Sequence, residues 1–237
     1  MPIRKVRVIL KLSGELFGEN GNHIDFEKYD IVAKKLISIK NKSNAQIAVV
    51  VGGGNIFRGR QANSEVDHVQ ADMMGMLATV INGVGLREAL TRNGDTDARL
   101  MTAFNLPEMA EPYIINKGLH HLSSGRTVII AGGLGRPNFS TDSAVAQCAN
   151  ELQCQVVLKA STVDGIYDMD PRKHPEAIKY KEISYVDALN KRLAVMDMTA
   201  FAMCMGSKIP IFVFDIKDLA RIPEAIGGDY SFGTIVR

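Results

Sequence analysis

Short, uninterrupted runs of Val and Ile are the feature that most limits how this chain can fold. Such runs recur along its 237 residues and alternate with longer segments of helical periodicity. A strand with one face in water alternates apolar with polar residues, whereas a strand buried on both faces is apolar throughout. The pattern therefore predicts an α/β protein, a three-layer sandwich in which helices cover both faces of a largely parallel central sheet.

Individual elements follow from the same pattern. The predicted strands, the last of them an edge strand, are Val6–Lys11, Ile47–Val51, Ala98–Thr102, Thr127–Ala131, Val156–Lys159, Ile211–Phe214 and Thr234–Val236. The predicted helices are Phe26–Ile39, Val66–Leu90, Ser143–Leu152 and Met196–Met205. Ser140 or Thr141 is expected to cap the third helix. No linker composition interrupts the chain, so we expect one domain, residues 1–237, with two lobes that meet near residue 127.

The predicted helix Val66–Leu90 is unusually rich in methionine and glycine. Met73, Met74 and Met76 lie in a segment that also contains Gly75. Methionine fills protein cores, and it also forms adaptable contact surfaces. The residues therefore leave two alternatives open, a core helix and a helix packed against another subunit.

Charge and cysteine content exclude several classes of protein. The formal net charge is +2, and basic and acidic residues are interspersed, which disfavours a nucleic-acid or membrane-surface partner. The three cysteines lack CxxC spacing, so buried reduced thiols are expected rather than a metal site. Lys11 interrupts the first apolar run, and no run reaches the length of a membrane span. These observations predict a cytoplasmic protein and still allow a small acidic ligand, which one or two buried cations can bind.

Glycines and basic residues follow the first two predicted strands. The first ends in Lys11-Leu12-Ser13-Gly14-Glu15, and the second ends in Gly52-Gly53-Gly54-Asn55 with Arg58 one helical turn later. Ligands of open parallel sheets bind at the carboxyl ends of strands, where glycine N–H groups and a forked guanidinium suit phosphate. Neither segment has P-loop or GxGxxG spacing. An ordinary strand-end turn is the alternative for each segment alone.

Two later strand ends add charge. Gly132-Gly133-Leu134-Gly135-Arg136-Pro137 leads into Asp142 at a helix start, and Lys159 closes the next strand. A lysine at the end of a buried strand is costly unless a charged partner meets it. We therefore expect Lys11 and Lys159 to bracket a phosphoryl group while Asp142 holds them in place. The alternative for Asp142 is a simple interaction with the helix dipole.

Together these segments resemble bacterial UMP kinases, the uridylate kinase branch of the amino-acid kinase superfamily. Asp72 before Met74-Gly75-Met76-Leu77, Lys159 through Tyr167, and Val195-Met196-Asp197 add to the resemblance, which follows the family's order along nearly the whole chain. It implies an amino-acid kinase (carbamate kinase-like) fold, an allosteric homohexamer, and transfer of the ATP γ-phosphate to UMP with Mg²⁺. The acceptor-side lobe would span about residues 1–126 and the ATP-side lobe about 127–237.

The resemblance also implies roles for individual residues. The implied catalytic residues are Lys11, Arg58, Asp142 and Lys159. Those implied for ATP are Lys11, Ser13, Gly14, Gly54, Arg58, Ser161, Tyr167 and Asp170, with Tyr167 beside the adenine. Those implied for UMP are Gly53, Asp72, Leu134, Gly135, Arg136, Pro137, Asn138, Phe139, Ser140 and Thr141, with Asp72 on the ribose. No protein ligand for a resident metal is assigned.

The chain departs from the family pattern in two places, and two other functions compete. The family commonly has Gly-Thr-Gly-Asn-Pro near the uridine, where Leu134 here lacks the hydroxyl and Arg136 adds charge; Ser161 replaces a usual Thr and keeps its hydroxyl.

Another kinase of the superfamily is one competing function, but Arg58 and Asp72 suit an acceptor with a phosphate and a ribose. A non-catalytic nucleotide regulator is the other, and it predicts loss of the charged residues that are present here. Family members differ in nucleotide regulation at the loop Gly18–His23.

Overall fold

The computed structural model describes residues 5–18, 22–58, 66–193 and 195–237. Its strands are β1 Arg7–Leu12, β2 Gln46–Val51, β3 Arg99–Thr102, β4 Glu111–Pro112, β5 Val128–Ala131, β6 Val156–Ser161, β7 Ile166–Tyr167, β8 Lys179–Tyr180, β9 Glu182–Ile183, β10 Ile211–Asp215 and β11 Gly233–Val236. Its α-helices are α1 Phe26–Ser43, α2 His68–Arg92, α3 Ile115–Ser123, α4 Thr141–Glu151, α5 Tyr185–Asn190, α6 Met198–Ser207 and α7 Ile222–Ile226.

One large sheet organises the described residues. Its strand order is β4-β3-β5-β2-β1-β6-β10-β11-β9, and every pair from β4 to β10 is parallel. The strand β1 lies near the middle, with β2 on one side and β6 on the other. The predicted α/β class with a largely parallel sheet is confirmed.

Helices cover both faces of this sheet. Side chains alternate along a strand, so Val8 and Leu10 of β1 enter one core cluster with residues of α1 and α2. Ile9 enters the opposite cluster, which contains residues of α3, α4 and α6. The molecule therefore has the three layers that the sequence predicts, and Lys11 shares the face of β1 that turns toward α4.

The prediction of an edge strand at Thr234–Val236 is wrong. The strand β11 lies between β10, to which it is antiparallel, and β9. All four residues of β11 are buried, and the backbone N–H of Ile235 donates to the carbonyl of Lys181. The covering strand β9 has only two residues, which is too short to give a recognisable sequence pattern.

Helix α2 is a core helix. Among the described residues it is the one helix long and apolar enough to cross a membrane. However, one side of it packs on the sheet, where Leu86 and Leu90 are completely buried. The other side exposes Val69, Met73 and Leu77. The core alternative for this helix is thus confirmed for its inner side, while the subunit-contact alternative for its outer side stays a prediction.

The three cysteines are buried and form no disulfide, as predicted. Burial raises the pKa of each of the thiols Cys148, Cys154 and Cys204 to about 12. They therefore behave as small apolar side chains.

Candidate active site

Two lysines lie side by side at the centre of the sheet. Lys11 of β1 and Lys159 of β6 are register partners on adjacent parallel strands, so their side chains share one face. Asp142, in the first turn of α4, meets both. Its Oδ1 lies 3.2 Å from Lys11 Nζ, and its Oδ2 accepts a 2.7 Å hydrogen bond from Lys159 Nζ. We call these three residues the Lys–Asp–Lys cluster.

The electrostatics of the cluster favour a bound anion. Burial opposes ionisation of Asp142, but the two lysines outweigh it and hold the pKa of the carboxyl below its usual range. Burial lowers the pKa of Lys159, an effect that the Asp142 charge partly offsets. The cluster has two cations and one carboxylate, and the side chains are only 14% to 16% exposed. Its excess positive charge is therefore poorly screened by water.

The segment Val195-Met196-Asp197 supports the cluster from the second half of the chain. The carbonyl of Val195 accepts a 2.7 Å hydrogen bond from Lys159 Nζ. The carboxylate of Asp197 caps α6 and also accepts hydrogen bonds from the hydroxyls of Ser140 and Ser143, at the start of α4. Asp197 therefore links α6 to the helix that carries Asp142.

A cavity of about 280 Å³ borders α2, and we call it the α2 cavity. It lies beyond the carboxyl ends of β2 and β5. Its lining residues are Gly53, Gly54, Phe57, Ala71, Asp72, Gly75, Met76, Thr79, Gly133, Phe139, Ser140 and Thr141. Half of the residues expected around UMP are thus brought together here, namely Gly53, Asp72, Phe139, Ser140 and Thr141.

The other half, residues 134–138, does not line this cavity. Leu134 is partly buried and packs against the core cluster beneath α4. Arg136 is exposed. The backbone N–H of Asn138 donates a 2.6 Å hydrogen bond to Asp72 Oδ2. This bond fastens the loop to Asp72, which lines the α2 cavity. The UMP roles of this segment stay predictions.

The glycine turn after β2 forms one wall of the α2 cavity. A Cβ on Gly53 would lie 2.8 Å from the Cβ of Ala78 and 2.9 Å from the backbone nitrogen of Thr79, so only glycine allows this turn to approach α2. Arg58 Nε donates a 2.9 Å hydrogen bond to the carbonyl of Gly54, and its guanidinium pairs with Glu15 at the exposed surface. The residue after Arg58, Gly59, lies outside the described residues.

The turn after β1 packs against the same wall. A Cβ on Gly14 would lie 2.6 Å from the backbone nitrogen of Gly54, which explains the glycine at this position. Ser13 precedes Gly14 and is partly buried. The structure thus brings Gly14, Gly54 and Arg58 together.

A second cavity of about 460 Å³ borders β7, and we call it the β7 cavity. Three of the eight residues expected around ATP line it, namely Ser161, Tyr167 and Asp170, whereas Gly54 lines the α2 cavity. The Tyr167 hydroxyl donates a 2.6 Å hydrogen bond to Asp164, which raises the pKa of Tyr167 to about 12 and keeps the phenol neutral. Asp164 also pairs with Lys179 at 2.9 Å.

The cluster connects the two cavities along the chain. Thr141 lines the α2 cavity and directly precedes Asp142. Ser161 lines the β7 cavity and follows Lys159 by two residues. Among the described residues, the lining of neither cavity includes Lys11, Asp142 or Lys159, so the connection is one of position in the chain.

Comparison with known proteins decides the family. The model of the amino acid kinase family matches residues 6–215. The chain belongs to the amino acid kinase family. The amino-acid kinase fold predicted from the sequence is thereby confirmed.

Solved structures of this family resemble the chain over nearly its full length. The UMP kinase from Bacillus anthracis has a TM-score of 0.93 at 33% identity, over 98% of this chain and 95% of that one. The UMP kinase from Ureaplasma parvum has a TM-score of 0.91 at 33% identity, over 99% of both chains. The uridylate kinase from Archaeoglobus fulgidus has a TM-score of 0.73 at 25% identity, over 97% of this chain and 99% of that one. The resemblance to UMP kinases seen in the sequence is confirmed.

The described residues hold no group of carboxylates built for a resident metal ion. Among the described residues, no three His, Cys, Asp or Glu side chains are grouped so that they could hold an ion. Asp142 Oδ1 is the one buried side-chain polar atom of the described residues that lacks a hydrogen bond. Mg²⁺ is commonly held by one or two carboxylates together with substrate phosphates. Both oxygens of Asp142 already face lysine ammonium groups, so the site fits an ion that nucleotide phosphates bring with them.

Sequence reasoning missed several residues of the site. Thr79 and Met76 line the α2 cavity, and Lys191 lines the β7 cavity, but none was assigned a role. Asp197 belongs to the segment Val195-Met196-Asp197, and its place directly before a helix is the signal that could have identified it as an N-cap. Lys179 is 15 residues from Asp164, and no local pattern indicates that pair.

Proposed function

We propose that the protein is a UMP kinase, which transfers the γ-phosphate of ATP to UMP and releases UDP and ADP. The observation that carries the proposal is the Lys–Asp–Lys cluster, which adjoins in sequence the lining of two cavities, one lined by residues expected around UMP and the other by residues expected around ATP. The three solved relatives described above are UMP or uridylate kinases, and they match over nearly the full length.

The reaction needs positioning and neutralisation of charge. The acceptor is already a phosphate anion, so no general base is required. Lys11 and Lys159 offset the charge on the transferring phosphoryl group, and Asp142 keeps both ammonium groups in place between two repelling anions. The N–H groups of Gly53 and Gly54 bind phosphate oxygens together with Arg58. Mg²⁺ bound to ATP supplies further neutralisation of charge on the phosphates.

The remaining predicted residues position the two nucleotides. Asp72 binds the UMP ribose, and residues 134–141 enclose the uridine. Ser161 and Asp170 hold ATP, with Tyr167 beside the adenine. The acceptor-side lobe spans about residues 1–126 and the ATP-side lobe about 127–237, in a cytoplasmic enzyme under nucleotide regulation. Part of the regulatory loop Gly18–His23 lies outside the described residues.

An acceptor panel tests this function. ADP release from Mg-ATP is measured in a coupled assay with UMP, CMP, dUMP, N-acetylglutamate and carbamate. We expect the highest kcat/KM with UMP. Equal or better rates with N-acetylglutamate or carbamate would assign the chain to another branch of the family, and no release with any acceptor would favour a non-catalytic regulator.

We further propose a homohexamer in which the outer side of α2 contacts another subunit. Val69, Met73, Leu77 and Ile81 follow at intervals of four and are 41% to 50% exposed in the single chain. Sedimentation measures the assembly mass of wild type, Leu77→Glu and a control, Val186→Glu, which alters an exposed apolar residue on α5. We expect only Leu77→Glu to give smaller species, and an unchanged mass for this variant would exclude α2 from the contact.

A further inference from the structure

We propose that Thr79 and Asn82 of α2 are positioning residues that fix the two glycine turns of the α2 cavity. The inference rests on the proposed function and deepens it, because these turns form the proposed UMP site. Neither side chain was assigned a role by the sequence or by the resemblance to UMP kinases.

Both residues are buried although they are polar. Thr79 is 3% exposed and Asn82 is completely buried, whereas the other buried residues of α2 are Ala, Val, Leu and Gly. A buried polar side chain destabilises a fold unless its hydrogen bonds are made. Residues three apart lie on one face of a helix, so both side chains turn toward the same side of α2.

Thr79 connects α2 to the turn after β5. Its Oγ1 donates a 2.7 Å hydrogen bond to the carbonyl of Met76 in the preceding helical turn. The same oxygen accepts a 2.7 Å hydrogen bond from the backbone N–H of Gly132. Gly132 begins the turn that continues with Gly133 in the cavity wall. The Thr79 hydroxyl therefore sets where this turn leaves the sheet.

Asn82 holds the turn after β2 at both of its ends. Its Nδ2 donates to the carbonyl of Gly52 at 2.7 Å and to Asn55 Oδ1 at 2.8 Å. Its Oδ1 accepts from Tyr29 at 2.6 Å and from Asn55 Nδ2 at 3.2 Å. Gly53 and Gly54, whose N–H groups are proposed to bind phosphate, lie between the two anchored residues.

The turn is also connected to the segment beyond β1. Asn55 Nδ2 donates to the carbonyl of His23 at 2.7 Å, and the ring Nδ1 of His23 lies 2.6 Å from the carbonyl oxygen of Asn55. Every polar atom of the Asn82 amide thus has a partner in one continuous network. Such a network fixes one arrangement of the backbone before any ligand arrives.

Preorganisation explains why polar residues are placed in this core. An apolar pair of the same shape would give comparable stability without the cost of desolvating an amide and a hydroxyl. Backbone N–H groups stabilise a transferring phosphate best when they are already oriented toward it. Displacement of such groups by about 1 Å lowers rates by up to about a hundredfold.

The test compares Thr79→Val and Asn82→Leu with controls of similar chemistry. Thr127→Val removes a hydroxyl that is equally buried but bonds Asp95 at the other end of β5. Tyr29→Phe removes the hydroxyl that bonds Asn82 and leaves the bonds to Gly52 and Asn55 in place. Thr79→Ser keeps the hydroxyl and serves as the conservative variant. All six proteins, including wild type, are measured for melting temperature and for kinetics with UMP and ATP.

We expect Thr79→Val and Asn82→Leu to lower kcat/KM for UMP by about tenfold or more and to leave KM for ATP unchanged. Thr79→Ser should retain most of the wild-type value. Thr127→Val should lower the melting temperature without this kinetic change, and Tyr29→Phe, which removes one bond of the Asn82 network, should lose less than Asn82→Leu. Wild-type kcat/KM in Thr79→Val, or an equal loss in Thr127→Val, would overturn the inference, and Thr79→Val decides the question if Asn82→Leu does not fold.

A measurement that does not depend on catalysis distinguishes a failure of this inference from a failure of the proposed function. If wild type does not phosphorylate UMP, the proposed function is wrong. The positioning role is then decided by hydrogen exchange at the Gly132 amide, which should be about tenfold faster in Thr79→Val than in Thr127→Val. Equal exchange in the two variants would overturn it.

Discussion

The α2 cavity and the β7 cavity are built differently. The walls of the α2 cavity are glycine turns held against a core helix by buried hydrogen bonds. The β7 cavity is larger, and much of its wall consists of side chains from the segment 161–172, of which Asp168 and Asp170 are exposed. Backbone groups fixed by a core helix impose one geometry, whereas exposed side chains adapt to their ligand.

The α2 cavity and the β7 cavity also differ in how firmly their walls are held in place. The β7 segment is held by antiparallel pairing with β8, by the Thr234 hydroxyl, which accepts a 2.9 Å hydrogen bond from the N–H of Ile166, and by the ion pair between Asp164 and Lys179. An exposed ion pair contributes little to stability. We infer that the acceptor is recognised strictly and ATP more tolerantly. Substitutions should therefore change the kinetic constants most in the Lys–Asp–Lys cluster, less around the α2 cavity and least at the exposed side chains.

The largest effect is expected for Asp142→Asn. Loss of the carboxylate leaves Lys11 and Lys159 adjacent without compensation, so kcat should fall by about a hundredfold or more while KM for UMP changes little. Asp95→Asn is the matched control, because Asp95 pairs with Lys40 at 3.1 Å away from both cavities. Steady-state kinetics of both variants, at comparable melting temperatures, check the prediction. Near-wild-type kcat in Asp142→Asn would remove this residue from the mechanism.

Activity should be lost at alkaline pH, and the loss should begin below the pH at which a lysine of ordinary pKa deprotonates. Burial lowers the pKa of Lys159 below 10.5, and the Lys11 charge acts in the same direction, while Asp142 and Asp197 oppose them. Between the folded and unfolded pKa values the unfolded chain holds more protons, so stability rises with pH while kcat falls. A pH profile of kcat measures this alkaline fall in activity, and Lys159→Arg should abolish the fall. A fall that begins only at or above pH 10.5 would contradict the assignment of Lys159 to the mechanism.

A smaller effect is expected for Tyr167→Phe in the β7 cavity. The variant loses the hydrogen bond to Asp164 and keeps the ring. One such bond contributes about 1 kcal/mol to holding the ring in place, so its loss should raise KM for ATP by at most about fivefold. KM for UMP should not change, and both constants are measured in the same assay. A change confined to KM for UMP would contradict the placement of ATP in the β7 cavity.

The smallest effect is expected for Arg136→Asn. Although residues 134–141 are proposed to enclose the uridine, the Arg136 side chain is exposed and does not line the α2 cavity, so KM for UMP should stay at the wild-type value. Leu134→Thr is a useful companion, because Leu134 packs against the core and its loss should lower the melting temperature instead. A clear rise in KM for UMP in Arg136→Asn would show that the loop folds over the substrate phosphate.

The sequence predicts the parts of this site that depend on strand ends. Lys11 and Lys159 close apolar runs, and the parallel sheet then places them in register. The hydrogen bonds of Asn82 could not be predicted, because they join β2, α1 and α2 across 27 to 53 residues. The covering strand β9 and the partner of Asp164 were missed for the same reason, since pairing between distant segments leaves no local pattern.

The fate of the γ-phosphate tests the central claim most directly. Protein is incubated with γ-labelled Mg-ATP and UMP, and the products are separated. The account predicts that label appears in UDP in a one-to-one ratio with ADP, and that Asp142→Asn transfers label more slowly by about a hundredfold or more. Label released as inorganic phosphate, or UDP formed equally by Asp142→Asn, would contradict it.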